Sequence, residues 1–506
     1  MARPGFVLEV DDKTPPLMTM SGSDLRLTPF GVGTRVIYPP DAERSSDPVP
    51  LIDAALSAPT GTRPLAAQLT PSTKLTLLIT EAGVLPAPWF DPRRTLAERV
   101  LEAAARAGVD DVEIVIANGA GQRWSHARVS EVLGDRVATS FLPDGLVASH
   151  DVTADDLVEV GAVDGHAVRV NRRVAESDLV VLIGVRSSFA DGCPLACGVT
   201  DAATVQRLGA ADEGDGEAFV AGVRALLQET TRVFALLAVL GQPLLGRPLR
   251  YVSKREWEWN AADRLSYVGT RQLAAALPRQ GAQLLHGGPK ADYAVIDVVG
   301  GEYAAARSES RLVWQAANAV EVKGQADVLV TSVWGAAIDP SDPMGSPLSA
   351  ARHALVTQAG SHLGTSYTRP GGVLIALHPL RNRFSNRRQS AAADLFAKVL
   401  PLTTDPAEIA DRFAPALQDE WYLDLYRKQF SDHPLRVFQE WASIARATAR
   451  YSNVIWVGGD RRSAAVLGHR AASTYADALE IASDAVGTTP SITVLRGAGL
   501  ALGDVR

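Results

Sequence analysis

Five consecutive apolar residues, Leu179-Val180-Val181-Leu182-Ile183, stand between Asp178 and Gly184. A short run with no polar alternation, closed by a turn residue, reads as a strand buried on both faces, which a parallel sheet under helices supplies. The same signature recurs at 74–80 (KLTLLIT), 111–117 (DVEIVIA) and 232–240. Helical spacing at 95–107 stops at Gly108, a C-cap signal, and Ser125 is placed to cap a helix through HARVSEVLG. A weak strand is expected at 137–141, a second helical stretch after His150-Asp151, and a helix at 216–229. Residues 1–50 read as a hairpin.

Near 241–250 (GQPLLGRPLR) the alternation breaks, and it resumes with strands at 293–299, 326–332, 372–378, 453–458 and 491–496. The expected fold class is therefore α/β. It has two domains, 1–250 and 251–506, each a mainly parallel sheet flanked by helices, with a helical insertion at about 381–451. At 506 residues and 46% hydrophobic content the chain can bury two cores.

No apolar run approaches membrane-spanning length and no secretory h-region opens the chain, so neither a membrane span nor export is expected. A net charge of −7 argues against nucleic acid as a main partner. Two cysteines cannot build a disulfide framework, which fits a cytoplasmic location.

In open α/β sheets, ligands sit beyond the carboxyl ends of the strands. The loop after 179–183, RSSFADGCPLACG, is thus the first place to look for chemistry. Arg186, Ser187, Ser188 and Asp191 suit a small anion or carboxylate there, and arginine favours bidentate recognition. A solvated loop with one ion pair explains them equally well. Asn118 and Arg123, at the next strand end, can face the same cleft, as can Glu81 after 74–80. Trp334, Asp339 and Asp342 follow 326–332 and are placed to close the cleft from the other side. Cys193 and Cys197 are weak metal candidates. With no His or third Cys nearby for zinc geometry, two small buried residues closing a tight loop is the simpler account. His150 is read as structural, His126 as a surface residue and His166 as a strand-edge residue.

Several stretches, in order along nearly the whole chain, carry a family resemblance. They are FGVGTRVIYPP, PTGTRPLAAQL, IVIANGAGQRW, SHDVTADDLVEVG, VRVNRRVAESDLVVLIG, ADVLVTSVWG, RPGGVLIALHPL and VIWVGGDRR. The chain resembles the lactate racemase (LarA) family. That resemblance implies a two-domain α/β fold and, for active members, racemisation of lactate with a nickel-pincer nucleotide. It also implies a strand-end loop whose Lys tethers the cofactor, a catalytic base His, a later nickel-ligating His and a second catalytic His in NGTHR. Laid on that pattern, Ser188 stands for the base, Gly198 for the Lys, Gly209 for the nickel ligand and Gly121 for the second catalytic His. Val84 stands for the family's arginine after the first strand, with Glu81 in place of its acid.

No Lys occurs between Lys74 and Lys254, so no register slip restores a tether. No cofactor is expected. Two readings of function stay open: a repurposed or non-catalytic protein binding a hydroxy-acid-like small molecule in the interdomain cleft, or an isomerase with a remodelled site. A protein partner or a homo-oligomer is compatible with either.

Overall fold

A computed structural model describes residues 6–81, 83–188, 193–210, 213–276, 289–335, 345–385, 387–429 and 431–506. The run that opens the sequence reading lies at the middle of the strand Leu179–Arg186, and Leu179 through Ile183 are fully buried. That strand pairs in parallel with Leu75–Thr80 on one side and Val233–Leu240 on the other. Alternate side chains feed two cores. Leu179, Val181 and Ile183 join Leu77, Ile79 and Leu96 in one, while Val180 and Leu182 join Leu78, Ala235 and Val223 in the other. A strand covered on both faces has no position for a polar residue, which is why its sequence does not alternate.

The first sheet has six strands in the order Val295–Glu302, Val233–Leu240, Leu179–Arg186, Leu75–Thr80, Val112–Ala117, Val147–Ser149. All pairs are parallel except the first, where Val295–Glu302 runs antiparallel. The second sheet has seven: Val7–Glu9, Arg35–Ile37, Ile492–Leu495, Ala326–Ser332, Thr368–Leu377, Asn453–Val457, Arg470–Ala472. It too is parallel apart from the Val7–Glu9 edge. The protein is thus α/β, with two parallel-dominated sheets flanked by helices. The sheets do not part at residue 250. The first takes its last strand from beyond that point, and the second takes two strands from the first forty residues.

Several local expectations are corrected. Residues 137–141 belong to the helix Asp135–Phe141, which buries Val137 and Ala138. The stretch after His150-Asp151 is a hairpin, Val158–Val163 with His166–Val170, turning at Asp164 and Gly165, both with positive φ. The N-terminal hairpin is confined to Leu17–Ser21 and Asp24–Thr28. The helical insertion is present as Pro406–Arg412, Glu420–Arg427 and Pro434–Thr448 among shorter pieces. No helix among the described residues is long and apolar enough to cross a membrane.

Candidate functional site

The parallel strands of the first sheet end together, and their loops form one wall of a cavity of about 710 Å³. The insertion closes the other wall with Arg436, Gln439 and Glu440 from the helix Pro434–Thr448. Arg352 joins them from the first residue of the π-helical segment Arg352–Gln358.

Glycine sets how closely these loops pack. Gly119, at φ +51°, donates its N–H to the Gly198 carbonyl at 3.0 Å. Asn118, buried, braces the same turn by donating Nδ2 to the carbonyls of Gly121 (3.0 Å) and His150 (3.1 Å). The insertion is pinned to this loop pair. The Tyr426 hydroxyl donates to the Gly119 carbonyl (3.0 Å) and accepts from the Val152 N–H (3.2 Å). The His433 N–H donates to the Ala120 carbonyl (2.9 Å), and Gln122 donates to the Gln429 carbonyl (3.0 Å).

Of the residues singled out from sequence, Glu81, Asn118, Arg123, Arg186, Ser187, Ser188 and Cys197 all line the cavity. Arg186 is 6% exposed and donates Nε to the Ser310 hydroxyl at 3.0 Å. Burial, reinforced by the nearby Arg311 cation, pushes its guanidinium down to about 10. Arg123 lies 3.6 Å from the Asp151 carboxylate, which also meets Arg427 at 3.5 Å. Asp191, Asp339 and Asp342 lie outside the described residues. Trp334 is buried in the first core near Met18 and Met20 and takes no part in the cavity wall.

The thiols are not poised for chemistry. Burial raises the Cys193 thiol, and burial together with Cys193 pushes that of Cys197 up to about 12. Both are neutral at physiological pH, and the thiolate is the nucleophile and metal ligand. His150 is structural. Its ring bonds the Thr200 carbonyl at 2.9 Å, and burial pushes it down to about 4. His166 meets the Thr204 hydroxyl, and His126 is exposed at the start of its helix.

Sequence reasoning missed Arg307, Arg352, Arg388 and Arg436, which also line the cavity. They arrive from helices and loops far along the chain, where an arginine carries no local sign of the cavity it will line.

The glycine positions aligned with the family's tethering Lys, nickel-ligating His and second catalytic His are closely packed by neighbours. A Cβ on Gly198 would stand 2.8 Å from the Ala117 Cβ and 3.0 Å from its carbonyl oxygen. One on Gly209 would stand 2.6 Å from the Gln439 Cγ, and one on Gly121 would stand 2.7 Å from both Glu81 carboxylate oxygens. Contacts this short force something to move. Among the described residues, no three His, Cys, Asp or Glu side chains converge as a metal-holding group. The residues present therefore do not fit a lysine-tethered, histidine-ligated nickel cofactor.

Two parallel-dominated sheets with a cavity at the strand ends define a class of α/β scaffold protein, and comparison with known proteins sharpens it. Residues 28–190 match the family model described as the lactate racemase N-terminal domain. The fold is similar to that of the lactate racemase apoprotein from Thermoanaerobacterium thermosaccharolyticum, with a TM-score of 0.63 at 14% identity over 97% of this chain and 100% of that one. A Thermotoga maritima protein superposes at a TM-score of 0.50 and 11% identity, over 92% of this chain and 100% of that one. No curated protein matches in sequence. The chain is LarA-like in two respects: residues 28–190 resemble the lactate racemase N-terminal domain, and the fold is similar to that of a lactate racemase.

Proposed function

We propose that this protein is a diverged LarA-like member that has left nickel-pincer chemistry and uses the strand-end cavity to bind a small hydroxy-acid-like metabolite. The observation that carries the reading is the set of filled glycines. Gly198, Gly209 and Gly121 stand where the resemblance puts the tether, a metal ligand and a catalytic base, and Ala117, Gln439 and Glu81 occupy the space a side chain would need. A simple loss of side chains would leave gaps; at Gly198 and Gly121 backbone carbonyls of Ala117 and Asn118 stand within about 3.0 Å of where a Cβ would go. Two neutral, unpaired thiols accord with a cytoplasmic location.

A second reading, an isomerase with a remodelled site, draws on one feature. Glu81 places a carboxylate in the cavity wall, and a carboxylate can serve as a general base. The test is metal analysis with intact mass on protein made in a host that synthesises the pincer nucleotide. Apo mass without nickel is expected; a covalent increment with stoichiometric nickel refutes the proposal. Racemisation or epimerisation of a 2-hydroxy acid by the nickel-free protein, abolished by Glu81→Gln, would establish the second reading instead.

A further inference from the structure

The amide side chains that line the cavity are held by their nitrogen ends. Asn118 donates Nδ2 to the carbonyls of Gly121 and His150. Gln122 donates Nε2 to the Gln429 carbonyl at 3.0 Å, and Gln439 donates Nε2 to the Val205 carbonyl at 2.6 Å. Only the nitrogen of an amide can donate to a carbonyl, so these bonds fix which end of each group is left over. What is left over is an oxygen. That of Asn118 is fully buried, whereas Gln122 and Gln439 are half-buried, and among the described residues nothing donates to their Oε1 atoms. The Ser187 hydroxyl, just past the strand Leu179–Arg186, likewise bonds no described residue.

These groups come from both walls. Ser187 and Gln122 follow strand ends of the first sheet, and Gln439 lies on the helix Pro434–Thr448 of the insertion. Anchored to backbone at one end, the two glutamine amides are ordered before any ligand arrives. A bond to them therefore costs less entropy than one to a loose surface side chain. Neutral oxygens answer to hydrogen-bond donors. A ligand hydroxyl can donate to the amide oxygens and also accept from Ser187, whereas an ammonium can only donate.

We infer that the ligand is a polyhydroxylated acid, with hydroxyl groups along its length that bond Gln122 and Ser187 on one wall and Gln439 on the other. The inference rests on the binding reading above and names the ligand's substituents. An acid the size of lactate carries a single hydroxyl and cannot serve both walls at once. It would also underfill about 710 Å³, a volume within the roughly 300–1,000 Å³ usual for small-molecule sites.

Calorimetric titration compares gluconate and galactonate with hexanoate and lactate. Hexanoate keeps the chain length and single charge of the sugar acids and lacks their hydroxyls. One of the two sugar acids should bind one per chain and at least about tenfold tighter than hexanoate or lactate, as two or more neutral hydrogen bonds would give. Ser187→Ala removes a hydroxyl that bonds no described residue. It should leave the melting temperature unchanged while weakening sugar-acid binding about three- to tenfold. Gln439→Met keeps the side chain's length without its amide, and it should weaken sugar-acid binding at least as much while leaving hexanoate binding unchanged. The inference is overturned if neither sugar acid binds tighter than hexanoate, or if both variants fold and bind the sugar acid as the parent does. Lactate binding without sugar-acid binding would overturn it and leave the binding reading standing, whereas a nickel-loaded covalent adduct would remove the reading itself.

Discussion

Gly198→Ala reports directly on whether the tether position is filled. Gly198 is the last residue of the helix Pro194–Gly198 and lies outside the left-handed region, so its backbone accepts alanine without strain. In open space such a change stabilises by about 0.4–1 kcal/mol, because it removes unfolded-state freedom. Here the new methyl would meet the Ala117 Cβ at 2.8 Å and the Ala117 carbonyl at 3.0 Å. Overpacking of this kind costs about 1–3 kcal/mol, so the net effect should be destabilising. Gly269→Ala is the internal control. It sits in the helix Ala261–Ala276 with nothing within 4 Å of its Cβ position, and it should stabilise. Urea unfolding read by near-ultraviolet circular dichroism would show the two midpoints moving in opposite directions at unchanged m-value. In an Ala117→Gly background the Gly198→Ala cost should shrink by about 1 kcal/mol, the signature of direct contact. If Gly198→Ala stabilises as Gly269→Ala does, the position is open. A lysine could then stand there, and the steric argument against a tethered cofactor fails.

Tyr426→Phe removes a buried hydroxyl that serves both the Gly119 carbonyl and the Val152 N–H. It should cost about 1–3 kcal/mol and speed hydrogen exchange at residues 118–122; unchanged exchange there would refute the latch. His150, His353, His433 and His469 are pushed down to about 4 and His378 to about 3, all chiefly by burial. The unfolded chain therefore binds protons from pH 6.5 downward while the folded chain does not. Stability should be full above pH 6.5 and fall by roughly 1 kcal/mol per histidine by pH 5.5, and a melting temperature flat from pH 7 to 4 would contradict this. With its thiol at about 12, Cys197 should react with a disulfide reagent at pH 8 at least about a hundredfold slower in the native chain than in urea; equal rates would show an accessible thiolate.

Much of the fold is legible because strands buried on both faces leave an unbroken apolar run. Ala326–Ser332 falls where its sequence places it, and Leu75–Thr80 and Val112–Ala117 each lie within one residue of theirs. What fails is either too short or too distant. Asp135–Phe141 offers two turns, too few for a helical period to outweigh its apolar content. The hairpin at 158–170 did carry a signal in Asp164-Gly165, a pair suited to positive φ at both turn positions, but the longer-range helical expectation obscured it. Nothing local tells Val295–Glu302 to run antiparallel at the edge of the first sheet, since direction and partner come from where the preceding chain returns.

The site divides along the same line. Side chains on strand-end loops, Glu81, Asn118, Arg123 and Arg186, were found because topology alone places them together. Arg307, Arg352 and Arg436 were not, because a helix surface gives no hint of what it will face. The glycines lie between these cases. Their positions in NGAGQR, PLACG and QRLG are plain in the sequence, but a glycine admits two opposite histories: a side chain lost into empty space, or a close approach that only glycine allows. Sequence cannot separate them, and packing can. Ala117 against Gly198, Gln439 against Gly209 and Glu81 against Gly121 are close approaches in three separate places. Restoring a family side chain at any one of them would require its neighbour to retreat. At Gly198 the neighbour is the Ala117 methyl and backbone carbonyl, and at Gly121 it includes the Asn118 carbonyl at 2.9 Å, none of which can swing aside, whereas at Gly209 the flexible Gln439 side chain can.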